Sequence, residues 1–166
     1  VPLNSVQQYV KGVMDGLMLP STPVPLAAYI TPPDPGDGTQ PAVYIWGSTA
    51  NEERQSMPRA QPGKPQTGGF KLIHHNLDLW LIWFGASDDP NADSAFPAVI
   101  DACTAVLRST EIQVPITDPL TGQQSTILNI GESIKWDYMP VISVSDERWL
   151  RYDARLIVTV LELLQA

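Results

Sequence analysis

Residues 70–84 read Phe70-Lys71-Leu72-Ile73-His74-His75-Asn76-Leu77-Asp78-Leu79-Trp80-Leu81-Ile82-Trp83-Phe84. Leu77, Leu79, Leu81 and Trp83 alternate with Asp78, Trp80, Ile82 and Phe84, the period-2 pattern of a long β-strand. Apolar side chains on both faces predict cover on both. A second such stretch closes the chain. There Leu150, Tyr152, Ala154, Leu156, Val158 and Val160 alternate with Arg151, Asp153, Arg155, Ile157 and Thr159. Trp149 to Val160 would extend roughly 40 Å, about twice a typical strand. A strand of that length is expected to pass beyond its own sheet and meet another subunit.

Helical spacing appears twice. Val6, Tyr9, Val10, Val13, Met14 and Leu17 form one apolar stripe, capped by Asn4 or Ser5 and ended by Pro20. Gly12 and Gly16 interrupt this helix. Either another backbone packs closely over them, or the helix is a slightly weak surface one. Ser94 to Ser109 is the second helix, with Phe96, Ile100, Cys103 and Leu107 on its stripe, Asp93 or Ser94 as cap, and Pro97 tolerated in the first turn. Shorter strands are expected at Leu26–Thr31, Ala42–Gly47, Ile112–Ile116 and Thr126–Ile130, with an extended piece around Ile134–Ser143. The sum is an α+β fold: an antiparallel or mixed sheet with an N-terminal helix and one inserted helix packed against it, in a single domain of 166 residues.

Ser48 to Gly69 has no periodicity and reads as a protruding loop, since unstructured segments of this length inside a compact domain are functional or disordered. Arg54, Arg59 and Lys64 outnumber Glu52 and Glu53 there, in a chain of net charge −8. The loop is expected either to dock on an acidic neighbour, ordering on assembly, or to be a passive surface loop.

Composition excludes several classes. A net charge of −8 disfavours gripping phosphates. A single cysteine excludes an internal disulfide framework and multi-cysteine zinc sites. No apolar run reaches the length of a membrane span, and no basic-then-apolar leader opens the chain, so neither a membrane role nor a signal peptide is expected. Val1-Pro2 fits removal of an initiator Met.

No enzyme motif is found, and no cofactor is expected. His74 and His75 are adjacent, so on a strand they point to opposite faces and cannot share a metal. Asp89, Asn91 and Asp93 match the first ligand spacings of a calcium loop, but Ser94 and Ile100 replace its glycine and closing glutamate. A helix-capping turn is the better reading. Cys103 reads as a small core residue. The five tryptophans fit core or interface positions better than stacking platforms for a sugar or base. From Leu72 to Leu107 there is no Lys or Arg, while Asp78, Asp88, Asp89, Asp93 and Asp101 are acidic. Such a stretch is either a channel wall that repels DNA or an ordinary solvated face.

The order of elements resembles the tail terminator, or tail completion, proteins of long-tailed bacteriophages. It is carried by Lys71–Trp80, by the helix Phe96-Pro97-Ala98-Val99-Ile100-Asp101-Ala102, and by Arg155-Leu156-Ile157-Val158-Thr159-Val160. The resemblance implies a structural virion protein, assembled in the host cytoplasm. Its homo-oligomeric ring, a hexamer in that family, would cap the tail tube. The partners would be the tail tube protein and a head-completion or neck protein, with genomic DNA passing through without tight binding. On this view Gly12, Gly16, Arg54, Arg59 and Lys64 are interface candidates, and Asp88, Asp89 and Asp93 are channel-facing candidates. The alternatives are another head–tail connector, a small acidic enzyme or ligand-binding domain, and an unrelated α+β interaction module.

Overall fold

The computed structural model describes residues 3–31, 40–54, 70–109, 113–138, 142–143 and 148–165. Within them run α1 (Leu3–Met14), β1 (Ala27–Tyr29), β2 (Ala42–Arg54), β3 (Phe70–Ala86), α2 (Ala92–Arg108), β4 (Val114–Thr117), β5 (Gln124–Tyr138), β6 (Ile142–Ser143) and β7 (Trp149–Gln165). The strands form one mixed sheet in the order β1-β2-β3-β7-β5-β4, with β6 beside β7. Only β1 and β2 are parallel. The fold is α+β, with an N-terminal helix and one inserted helix, as the sequence predicts.

The two long alternating stretches pair with each other. Phe70 lies opposite Gln165 and Ala86 opposite Trp149, so every residue of β7 has a partner on β3. The closing strand therefore runs beyond Val160, and its length is satisfied inside the chain. That length alone does not call for a second subunit, contrary to the expectation above.

Alternation sets the two faces. Ile73, His75, Leu77, Leu79, Leu81 and Trp83 of β3 are buried on the same side as Tyr152, Ala154, Leu156, Val158, Val160, Glu162 and Leu164 of β7. Both helices pack on this side. Val6, Val10 and Met14 of α1, and Phe96, Ile100, Cys103 and Leu107 of α2, join the same core. Among the described residues no helix lies over the opposite face. Tyr44 is half-buried and Trp46 is 38% exposed, so the expected cover on both faces is not found among the described residues.

Element ends differ from the sequence reading for local reasons. α1 already includes Asn4 and Ser5 and stops at Met14. Gly16 has φ +80 and turns the chain well before Pro20, its N–H donating to the Leu26 carbonyl at 2.8 Å. α2 begins at Ala92, with Asn91 at its N-cap and no side-chain cap bond. Asp93 and Ser94 thus lie inside the first turn. Pro97 falls in the second turn, where it deprives the Asp93 carbonyl of its usual donor. β2 continues through Ser48 to Arg54, opposite Asn76 to Lys71, so the start of the expected loop is strand. Residues 55–69 lie outside the described residues. The 118–122 turn forms as expected: Asp118 accepts from the Thr121 hydroxyl and the Leu120 N–H, which hold its carboxyl below the ordinary range.

Two predictions arise from this packing. A Cβ on Gly85 would stand 3.0 Å from Ala92 Cβ and 3.0 Å from the Trp83 ring, where β3 hands over to α2. Gly85→Ala should cost about 1–3 kcal/mol through overpacking, measured by urea denaturation. Burial pushes the Cys103 thiol up to about 12, leaving almost no thiolate at neutral pH. Native protein should resist thiol reagents, and denatured protein should react at once.

Candidate functional site

The uncovered face carries an aromatic row. Tyr29 on β1 stacks on Tyr44 of β2 at 5.8 Å between centroids, and Tyr44 on Trp46 at 5.8 Å. Trp80 of β3 meets Trp46 edge-on at 6.4 Å. Strand register brings charge beside these rings. Asp78 lies opposite Trp46, Arg155 opposite Trp80, and Asp137 opposite Arg155. Arg155 Nη2 donates to Asp78 Oδ2 at 2.6 Å. Trp46, Asp78, Trp80, Asp137 and Arg155 line an open hollow of about 350 Å³.

Next to it, buried Asp153 accepts from Trp80 Nε1 at 2.8 Å and from Arg151 Nε and Nη2 at 2.7 and 2.8 Å. These bonds raise the pKa of Arg151 further and fix both side chains. The hollow offers flat rings, one ion pair and a further carboxylate, but no histidine, hydroxyl or thiol nucleophile. It suits contact and stacking rather than bond-making.

The other polar feature is on the core face. His75 Nε2 and Glu162 Oε2 are 2.6 Å apart, and both residues are buried. Burial pushes the Glu162 carboxyl up, but the hydrogen bond from His75 and the nearby Ser125 hydroxyl outweigh it, and the pKa ends below its ordinary value; Ser125 Oγ and His75 Nδ1 are buried without a hydrogen-bond partner among the described residues. The carboxylate sits between the hydroxyl and the imidazole. A nucleophile triad needs the imidazole between the other two, so this cluster is not arranged to activate Ser125. His74 faces the opposite side of the sheet. No group of three or more His, Cys, Asp or Glu residues among the described residues could hold a metal ion. No protein-family model and no curated protein matches the chain.

Its site must therefore be read from its own chemistry. Gly12 and Gly16 are exposed, with nothing within 4 Å of a Cβ added at either; Gly16 is accounted for by its turn. Arg54 ends β2 opposite Lys71, while Arg59 and Lys64 lie outside the described residues. Asp88, Asp89 and Asp93 gather around the start of α2, where carboxylates favour the helix dipole. Asp89 Oδ1 accepts the Asn91 N–H at 2.9 Å, and Asp93 Oδ1 accepts the Tyr152 hydroxyl at 2.5 Å. Burial and then this bond push Tyr152 up to about 12. Asp78 is instead on the uncovered face, neutralised by Arg155, and Asp101 is on α2 over the other face. The five acids do not form one continuous wall.

Sequence reading missed the sheet edges. Thr49 to Glu53 on β2 are all exposed, as are Lys135, Trp136 and Asp137 on β5, with Trp136 42% exposed. The available signal was a run of polar residues carried on past the apolar part of each strand.

Proposed function

We propose that this chain is a structural ring subunit of a phage virion, closing the tail tube and joining it to the head or neck. Six copies follow from the family resemblance, and the reading gives the chain no catalytic role and no cofactor. The observation that supports it is the placement of both helices on one face of a sheet built on β3 and β7, with α2 inserted between these strands. Among the described residues, no helix lies over the tyrosine and tryptophan row. Exposed apolar surface of this kind marks an interaction face. Partners on this reading are further copies of the chain, the tail tube protein and a head-completion or neck protein. The net charge of −8 suits passage of DNA without adhesion, with Asp88, Asp89 and Asp93 as channel-facing candidates. No helix among the described residues is long and apolar enough to cross a membrane.

Light scattering across rising concentrations tests this, together with electron microscopy of assembled particles. A mass near six subunits and a ring at the head–tail joint are expected. A strictly monomeric mass with no ring in any particle would overturn the reading, and submicromolar binding of duplex DNA at physiological salt would contradict the proposed passage. A ligand-binding reading has one observation in its favour, the aromatic hollow. Saturable quenching of Trp46 and Trp80 fluorescence by a small molecule would favour it.

A further inference from the structure

We propose that copies of this chain join edge to edge, with the outer edge of β2 in one copy running antiparallel to the outer edge of β5 in the next. The inference rests on the ring reading and names the surfaces that make the ring. Among the described residues, β1 covers β2 only at Ala42–Tyr44, and β4 covers β5 only at Gln124–Ile127. Among the described residues no strand lies on the outer edges of Ile45–Arg54 and Asn129–Tyr138. Bulges between Gly47 and Thr49 and between Ile130 and Ile134 confine the regular portions to Thr49–Arg54 and Ile134–Tyr138. In these portions Thr49–Glu53 and Lys135–Asp137 are exposed, on both faces of the sheet. Rows of unpaired N–H and C=O groups on such a strand are a template for another strand.

Direction, face and charge then select the partner. β2, β3, β7 and β5 each run antiparallel to the next, so β2 and β5 point in opposite directions. A second copy in the same orientation brings its β5 antiparallel to β2, and the same addition repeats. That is the head-to-tail contact from which rings close. A slip of one residue would set the uncovered face of one copy against the core face of the other. Asn51 and Glu53 share the uncovered face with His74 and Leu72, and Lys135 and Asp137 share it with Ile157 and Arg155. One register keeps the faces together and sets Glu53 against Lys135, which also places the neutral Asn51 opposite Asp137. Neither Glu53 nor Lys135 has an ion-pair partner among the described residues.

Charge exchange tests this register. Glu53→Lys alone and Lys135→Glu alone should each weaken self-association several-fold, since opposed like charges destabilise a cross-strand pair. An equal mixture of the two variants should recover it, because every contact in an alternating assembly again joins opposite charges. Mild oxidation should link Asn51→Cys protein to Asp137→Cys protein when mixed and neither when alone; Cys103 is buried and will not compete. Failure of the mixture to recover, or a cross-link in Asn51→Cys protein alone, would overturn the edge pairing. If wild-type protein assembles and both charge variants assemble equally well, the edge pairing fails and the ring stands. A wild-type protein that never assembles sinks both.

Discussion

His75→Leu is expected to lose about 3–5 kcal/mol of folding stability at pH 7, the usual cost of leaving a buried charge without its partner. Glu162 is fully buried, and its Oε2 lies 2.6 Å from His75 Nε2. Because its pKa is lowered, Glu162 is ionised at neutral pH and can only accept, so Nε2–H is the donor. Without the imidazole, the carboxylate loses its 2.6 Å hydrogen bond and stays out of water. The double variant His75→Leu, Glu162→Leu should recover most of the loss, because apolar residues of similar volume often replace a buried pair at little cost.

The pH dependence has a definite sign. A carboxyl whose folded pKa lies below its unfolded value of 4.5 contributes stability in full above that value. The contribution is lost as pH falls through the lower folded pKa. Wild-type protein should therefore weaken on its acid limb more steeply than the double variant. In His75→Leu the carboxyl becomes easier to protonate, so its deficit against wild type should shrink as pH drops. Urea denaturation of the three proteins at pH 7 and near pH 4 checks this. A single variant within 1 kcal/mol of wild type, or a double variant no better than the single, would show that the pair is not a stabilising unit.

This pair also marks the limit of what the sequence carries. Alternation over Leu77–Trp83 and Tyr152–Val160 revealed both long strands and split each into two sets of side chains, but Trp80, Ile82 and Phe84 are apolar as well, so it did not say which face of β3 lies under the helices. Phe96, Ile100, Cys103 and Leu107 did report the buried stripe of α2. The pattern then fails at both ends of the sheet. Thr49 to Glu53 carry no large apolar residue on either face because that part of β2 is exposed on both, so nothing alternates and only the ladder to β3 reveals a strand. At the end of β7, Glu162 occupies a core position among leucines. Its reason lies 87 residues earlier, at His75, a separation no local window spans. The helix ends were displaced because Gly16 turned the chain before Pro20 could, and because α2 starts with an N-cap that makes no side-chain bond. The uncovered face and free edges follow from strand order, which period-2 patterning does not encode.

Phe96→Ala should be the most damaging single truncation on the helix side, at about 3–5 kcal/mol. Phe96 is the first large side chain of α2 to reach the sheet. Its ring stacks on Trp83 at 5.9 Å and 15°, and sits 5.2 Å from Tyr152, whose own ring is 5.3 Å from Trp83. The three rings thus tie α2 to β3 and β7 at the end where the chain leaves the sheet. Truncation removes buried apolar area, leaves a cavity between two rigid rings, and loses the aromatic contacts themselves. Gly85 and Ala92 pack tightly alongside, so the backbone has little freedom to collapse into the space. At about 2–4 °C per kcal/mol for a domain of this size, the midpoint of thermal unfolding should fall by roughly 6–20 °C. Tyr152→Phe keeps the cluster and removes only the hydroxyl donated to Asp93, which is exposed. It should cost far less, about 1 kcal/mol. Near-ultraviolet circular dichroism should lose much of its aromatic signal in Phe96→Ala and keep it in Tyr152→Phe. Equal losses of stability in the two variants would mean that the hydroxyl bond, rather than the stacked rings, holds the start of α2 to the sheet.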